Sequence, residues 1–339
     1  MLTTTNIGID LGTTSVLIYT KEKGLVLSEP SVIAQDTRTG RIIGVGKDAY
    51  EMLGRTPDRI RAVKPLEDGV VSDYIMTEEM IKHYVRRVSK NRIFKPSIVF
   101  CIPSGTTDVE SMAVVDAAIT AGARRVFLIE EPLAAAIGAG IDVLKPCGQM
   151  IVDIGGGTAD IAVISLGGIV TKKSVKMAGN KFNEAVVRCV KQNHNVLIGE
   201  KTAEQIKINI GSAIPVEEDV TMEVKGRNLY TGLPQKVEVS ASEVYEGLKE
   251  SVLVIIAAVR QVLDVTPPEL TGDIITTGVV LTGGGAMLQG LDKLITKETG
   301  LRCELAVDPI ECVAKGTQKC LSMISELKEG FMDPYDNKR

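Results

Sequence analysis

IVDIGGGTADIAVIS, residues 151–165, is the stretch from which the reading of this chain starts. Two short β-rich runs, 151–154 and 161–165, flank Gly155, Gly156, Gly157, Thr158, Ala159 and Asp160, and that pattern predicts a β-hairpin. Successive glycines carry no Cβ, so their backbone N–H groups can converge on an anion. Asp153, just before the turn, repels a phosphate, and its natural part beside one is to hold a metal ion that bridges to it. The stretch therefore points to a Mg²⁺–nucleotide site, although a glycine-rich hairpin taken alone is more often a plain tight turn.

A second copy changes that balance. Residues 7–19, IGIDLGTTSVLIY, run through a strand, Asp10, a turn of Gly12, Thr13 and Thr14, and another β-branched strand. Ile9-Asp10-Leu11-Gly12 overlays Val152-Asp153-Ile154-Gly155 in order and chemistry, and the two carboxylates stand 143 positions apart, at 10 and 153. A duplication of this period predicts two similar half-molecules facing each other across a cleft, with one Asp from each flanking a single metal. A third glycine run lies in GVVLTGGGAMLQGL, residues 278–291, again between a strand and a helix start. There Gly283, Gly284 and Gly285 let a flat base and ribose approach the backbone.

Composition bounds the answer. The chain has 339 residues, 24% of them charged and 44% hydrophobic, which suits an ordered protein with two cored domains. A net charge of −4 supplies no basic field to attract nucleic acid. Neither an eighteen-residue apolar run nor a signal peptide is recognisable, so the expected location is the cytoplasm. The six cysteines, Cys101, Cys147, Cys189, Cys303, Cys312 and Cys320, form no Cys-x-x-Cys pair, and the chain has two histidines. Free buried thiols are expected, not zinc ligands or disulfides.

Along the chain, residues 32–64 read as a small inserted subdomain. Residues 69–88 have helical spacing at Ile75, Met80, Ile81, Tyr84, Val85 and Val88, with His83 on the surface. Residues 89–96, SKNRIFKP, admit two readings. Ile93 and Phe94 either fold back into the core or form an apolar tip ringed by Lys90, Arg92 and Lys95. Such a tip would hold a lipid surface effectively only when many copies bind together. Helices are expected at 109–121 and 132–140, the second with Pro132 in its first turn and small side chains suited to close packing. Glu130 and Glu131 are either surface acids complementing the helix dipole or, if the turn faces the cleft, the source of a group orienting water toward a terminal phosphate. Helix 202–211 puts Glu204 and Lys207 on one face, as an exposed ion pair or as a pair facing ribose or adenine. A hairpin is expected at 219–238, a fully buried core helix at 251–263, a strand at 301–306, a helix at 312–327 and a frayed polar tail at 330–339.

DLGTTS, EEPLAAAIGAG, VDIGGGTAD, VVLTGGGAMLQGL and PIECVAKGTQKCL resemble, in the right order, the five motifs of the actin, heat-shock ATPase and sugar-kinase superfamily. EPSVIA, PLEDGVVSDY, IPSG, TAEQIKINIGSA and GRNLYTGLP extend the similarity over essentially the whole chain to the bacterial actins of the MreB/Mbl family. The resemblance implies an α/β actin-like ATPase fold, with two RNase H-like lobes divided into four subdomains around a nucleotide cleft. Its boundaries would be 1–31, 66–144 and 314–339 for IA, 32–65 for IB, 145–179 and 252–313 for IIA, and 180–251 for IIB.

Carried over by position, the resemblance places ATP or ADP with Mg²⁺ in the cleft. Asp10 and Asp153 would serve the metal, Gly12, Thr13 and Thr14 one phosphate loop, and Gly155, Gly156, Gly157 and Thr158 the other. Glu131 matches the water-orienting residue, while Glu204, Lys207, Gly283, Gly284, Gly285 and Met287 match the nucleoside pocket. Ile93 and Phe94 match the membrane-binding loop. Where eukaryotic actin has a lysine in the first phosphate loop, this chain has Ser15-Val16-Leu17, so phosphate charge falls to Mg²⁺ and backbone amides. The implied protein is a slow ATPase whose protofilaments lie on the inner face of the cell membrane. It would determine cell shape by organising peptidoglycan synthesis with cell-wall elongation proteins, without nucleic acid.

Two other functions share these loops. A small-molecule kinase needs a catalytic Asp beside an acceptor pocket, and residues 101–108 offer Asp108 alone. A chaperone ATPase needs a substrate domain, which is not expected because the chain stops soon after its last motif.

Overall fold

A computed structural model describes residues 6–89, 95–327 and 329–334. Two large sheets are built on one plan. In the first, strands Asn6–Leu11, Ser15–Thr20 and Gly24–Pro30 form an antiparallel meander. Strands Ser97–Ile102 and Arg125–Glu130 continue the sheet in parallel beside Asn6–Leu11. In the second, Gln149–Ile154, Ala159–Ser165 and Gly168–Val175 form the meander, and Val279–Thr282 and Cys303–Leu305 continue it in parallel. Register repeats along with order. Leu11 pairs with Val16 and Asp10 with Leu17 in one hairpin; Ile154 pairs with Ala159 and Asp153 with Asp160 in the other. The offset of 143 therefore holds at every one of these positions, so the duplication seen in the sequence is a duplication of backbone pairing.

Parallel strands need crossover helices, which cover both faces of a sheet and make its strands apolar on both sides. Ala159–Ser165 is accordingly buried along its whole length. Alternate residues enter different cores. Ile7, Ile9, Ile98 and Phe100 pack with Met80, Tyr84 and Val115 from helices Tyr74–Val88 and Asp108–Thr120. Val152, Ile154 and Ile161 pack with Phe182, Val186 and Ile255 from helices Gly179–His194 and Ala241–Val265. Between the sheets, Val99, Phe127 and Ile129 of the first join Ile151, Ala162 and Ile164 of the second around Leu133, Ala134, Ala135 and Val313. The two central helices, Glu131–Gly138 and Cys312–Cys320, thus tie the halves together. Their backbones approach so closely that a Cβ on Gly138 would strike the Cys312 carbonyl, and one on Gly316 the Ala134 carbonyl.

Two smaller sheets flank the mouth of the cleft. Ile33–Asp36, Ile42–Val45 and Ile60–Val63 form one, over a small core of Val32, Ala34 and Ala49. Val196–Leu197, Thr221–Asn228 and Pro234–Ser240 form the other, followed by a helix whose capping box joins Ser240 and Glu243.

Several expected elements differ. The helix expected over 69–88 begins at Tyr74, N-capped by Asp73, because residues 70–71 pair in a short hairpin. Ile75 is 66% exposed and Met76 takes the buried position. The apolar run 251–263 is the middle of the 25-residue helix Ala241–Val265, and its Leu253 and Val254 face outward instead of into the core. The helix expected to reach 327 ends at Cys320. Residues 331–332, expected to be frayed, pair with Arg125–Glu130 at the edge of the first sheet. Ile93 and Phe94 lie outside the described residues.

Helix Pro268–Thr277 provides a control for the close packing, since a Cβ on its Gly272 meets open space. Gly316→Ala should lower unfolding free energy by about 1–3 kcal/mol through overpacking. Gly272→Ala should be neutral or stabilising by up to about 1 kcal/mol. Urea unfolding of the two variants checks the contrast.

Candidate functional site

The two hairpin turns meet in a cleft of about 430 Å³ between the large sheets. Gly156 lies against the Thr14 hydroxyl, and Gly157 against Thr13 and the Gly69 amide, with no room for a Cβ at either position. Glycine is thus required here for interdigitation of the loops as well as for exposing amides. Gly69 N donates to Thr13 Oγ1 at 3.1 Å, bringing a third segment onto the first turn. Gly283, at φ +84°, and Gly285 press on the Ile154 carbonyl and let the third glycine run close the far wall.

Every residue expected at the nucleotide or metal lines this one cleft. Asp10, Gly12, Thr13 and Thr14 stand on one side, with Asp153, Gly155, Gly156, Gly157 and Thr158 opposite. Glu131, Glu204, Lys207, Gly283, Gly284, Gly285 and Met287 complete the lining.

Of the paired acids Glu130 and Glu131, the first is held at the surface by Lys172 Nζ at 2.6 and 2.7 Å, and the second turns into the cleft. Glu204 and Lys207 form no ion pair with each other. Tyr50 Oη donates to Glu204 Oε2 at 3.4 Å, while Lys207 Nζ donates to the Gly179 carbonyl at 3.3 Å. Burial holds the Lys207 ammonium below its ordinary pKa.

Four buried carboxyl groups, Asp10, Glu131 and Asp153 of the cleft and Asp160 behind it in the hairpin ladder, act on one another's charge, and among the described residues none of them is in an ion pair. Desolvation pushes Asp10 up to about 6 and Asp153 up to about 7. Glu131 is driven well above the usual carboxylate range by burial first, then by the charges of Asp160, Asp153 and Asp10. Hydrogen bonds oppose part of this shift. Thr282 Oγ1 donates to Asp153 Oδ1 at 2.6 Å, Cys101 Sγ to Asp10 Oδ1 at 3.1 Å, and Ser104 N to Asp160 Oδ1 at 3.1 Å. Carboxylate oxygens without a countercharge, beside clustered backbone amides, fit a hard divalent cation carrying an anionic ligand.

Sequence reading missed Asp160, Thr282, Cys101 and the amino end of helix Gly179–His194, where Gly179 and Asn180 line the cleft. Asp160 is recoverable from the hairpin, because it falls opposite Asp153 in the ladder. Thr282 and Cys101 belong to strands far away in sequence, and no local pattern marks them.

The family model described as MreB/Mbl protein matches residues 4–329. Cell shape-determining protein Mbl of Bacillus subtilis is 48% identical over 323 residues, covering 95% of this chain and 97% of that protein. Cell shape-determining protein MreB of Escherichia coli is 49% identical over 325 residues, 94% of each chain. Among solved structures, MreB5 of Spiroplasma citri bound to ADP superposes with a TM-score of 0.91 at 38% identity, over 96% of this chain and 98% of that one. The same protein bound to AMPPNP gives 0.90 at 38% identity, over 95% and 97%. A MamK double helical filament shares the fold at 20% identity, with a TM-score of 0.79 over 96% of this chain and 100% of that one. The fold is therefore the actin-like ATPase fold.

Carboxyls held above their ordinary value of 3.8 keep the native state more protonated than the unfolded one. Their contribution to stability without metal is therefore lost as pH rises from that value through about 7. Asp153→Asn removes one such group. In chelator, urea unfolding across this range should show wild type losing stability relative to the variant as pH rises; a constant difference would contradict the burial of Asp153.

Proposed function

Because the chain belongs to the MreB/Mbl family, we propose that it is an ATP-dependent bacterial actin forming membrane-associated filaments that determine cell shape by organising elongation-type peptidoglycan synthesis. The observation that carries the reading is the pair of acids, Asp10 and Asp153, at equivalent positions of two duplicated hairpins facing one cleft. Support for nucleotide in that cleft comes from the ADP and AMPPNP bound by the Spiroplasma citri neighbours. Support for the cellular role comes from the cell shape-determining relatives.

In this reading Asp10 and Asp153 hold Mg²⁺, one from each half. Bound there, the ion would supply positive charge to the phosphate groups. The amides of residues 12–14 and 155–158 take the phosphate oxygens, and the close fit of Gly156 to Thr14 sets how near the loops approach. Glu131 orients the attacking water. With Asp160, Asp153 and Asp10 around it, its proton affinity depends on the charge in the cleft, and positive charge there would favour the carboxylate form needed to accept a water proton. Glu204 and Lys207 face the nucleoside, between Gly283, Gly284, Gly285 and Met287.

The resulting activity is slow hydrolysis of ATP to ADP and phosphate, coupled by lobe closure to subunit contacts. The four subdomains follow the boundaries given by the resemblance. No helix among the described residues is long and apolar enough to cross a membrane. Attachment is peripheral, on the inner face, through Ile93 and Phe94, and the partners are further copies of the chain and cell-wall elongation proteins.

Glu131→Ala should still bind ATP while phosphate release slows by about a hundredfold or more. Calorimetry and a phosphate-release assay separate the two quantities, and lost binding would reassign Glu131. Pelleting and negative-stain microscopy with ATP should show filaments that coat anionic liposomes. Ile93→Ser combined with Phe94→Ser should leave the filaments and remove the coating; a protein that hydrolyses ATP yet stays monomeric would overturn the filament reading.

A further inference from the structure

The two halves anchor their cleft acids in the same way but with different atoms. Asp153 receives its hydrogen bond from Thr282, its partner in the parallel ladder. Asp10 receives its hydrogen bond from Cys101, one residue beyond the Ile9–Phe100 pair on the corresponding strand. An oxygen donor in one half is thus replaced by sulfur in the other. Cys101 is 3% exposed, and its Sγ, a carboxylate oxygen of Asp10 and one of Glu131 all lie within 4.8 Å of one another. These three groups come from separate elements: strand Asn6–Leu11, strand Ser97–Ile102 and helix Glu131–Gly138.

Donor atoms this close can share one ion, and three protein ligands are the number that zinc-class sites use when a fourth position is left for a further ligand. A thiolate among them shifts preference from magnesium toward zinc-class metals. A second observation points the same way. Asp160 is fully buried, its Oδ2 has no hydrogen-bond partner, and its carboxyl adjoins that of Glu131. That carboxyl adds negative charge beside Glu131, one of the three donors, which a cation bound there would offset.

We propose that Asp10, Cys101 and Glu131 form a site for a thiophilic divalent cation of the zinc class, entered from the open cleft, whose occupation excludes the Mg²⁺–nucleotide complex. On binding, the Cys101 S–H bond breaks, its proton leaves to solvent and the sulfur lone pair forms the bond to the ion; nothing is oxidised or reduced. The exclusion rests on the nucleotide reading of the cleft, whereas the cation site stands on the three donors.

The test is titration of the nucleotide-free full chain with Cd²⁺, read by thiolate-to-cadmium charge-transfer absorption and by equilibrium dialysis. Cys147, the one cysteine that is not fully buried, is replaced by Ser throughout to remove competing surface chemistry. One equivalent should bind with a charge-transfer band. Cys101→Ser should abolish the band and weaken Cd²⁺ binding about tenfold or more. If Cys101→Ser does not fold, as judged by circular dichroism, Glu131→Gln should weaken binding by a similar factor with the sulfur in place. A band that survives Cys101→Ser, or an affinity unmoved by Glu131→Gln, overturns the site. Excess Mg²⁺–ATP should displace the band, and simultaneous binding of both overturns the exclusion. Calorimetry of Mg²⁺–ATP on the same protein separates the two readings. Absent ATP binding overturns the nucleotide reading and leaves a Cys101-dependent band standing; intact ATP binding without the band overturns this site alone.

Discussion

Four carboxyl groups facing one another without a countercharge are the constraint on which the rest of the structure depends. Asp10, Asp153, Asp160 and Glu131 come from three strands and a helix, and each is held above its ordinary pKa mainly by burial. An isolated buried carboxylate is costly, and several together are tolerated when the surrounding scaffold is stable enough to hold them or when a cation enters. The scaffold here is two sheets that share the order of their five common strands and the register of their central hairpins, locked by apolar side chains on both faces.

Small residues make that arrangement possible. The acids of the two halves can address one ligand because the hairpins nearly touch, and they do so because Gly156 and Gly157 leave space for Thr14 and Thr13. Deeper in the molecule, Gly138 and Gly316 let helices Glu131–Gly138 and Cys312–Cys320 cross at backbone contact. Glu131 sits at the start of the first of these helices. The same close packing that joins the halves therefore sets the position of the acid that faces the phosphates in the proposed mechanism. Helix Glu200–Ile210 lines the cleft with Glu204 and Lys207, and Lys201 Nζ reaches the Tyr50 carbonyl of the opposite flank at 2.6 Å. In the proposed mechanism, contacts to the nucleoside would thus lie about one helix turn from contacts between the flanks.

Much of this was legible in the sequence because the chemistry is local. Each hairpin carries its glycines and its Asp within a few residues, and the repeat at 143 positions implied two facing halves, as the matching registers bear out. What escaped depends on contacts between distant segments. Cys101 and Thr282 meet the cleft acids through parallel ladders whose register no local pattern encodes. The edge strand at 331–332 forms because Arg125–Glu130 leaves its outer edge free, which composition cannot reveal. The run 251–263 looked buried all round, yet Leu253 and Val254 face outward, since hydrophobicity alone does not say which side of a helix has a neighbour.

In the proposed mechanism an acid from each half acts on the same bound ion and nucleotide. A double-mutant cycle tests it most directly, using calorimetric Mg²⁺–ATP affinities of wild type, Asp10→Asn, Asp153→Asn and the double variant. Acids sharing one ion should couple, so that the double variant departs from the sum of the single effects by about 1 kcal/mol or more. Additivity within about 0.5 kcal/mol would mean that the two acids act independently, and would contradict a single site spanning the halves.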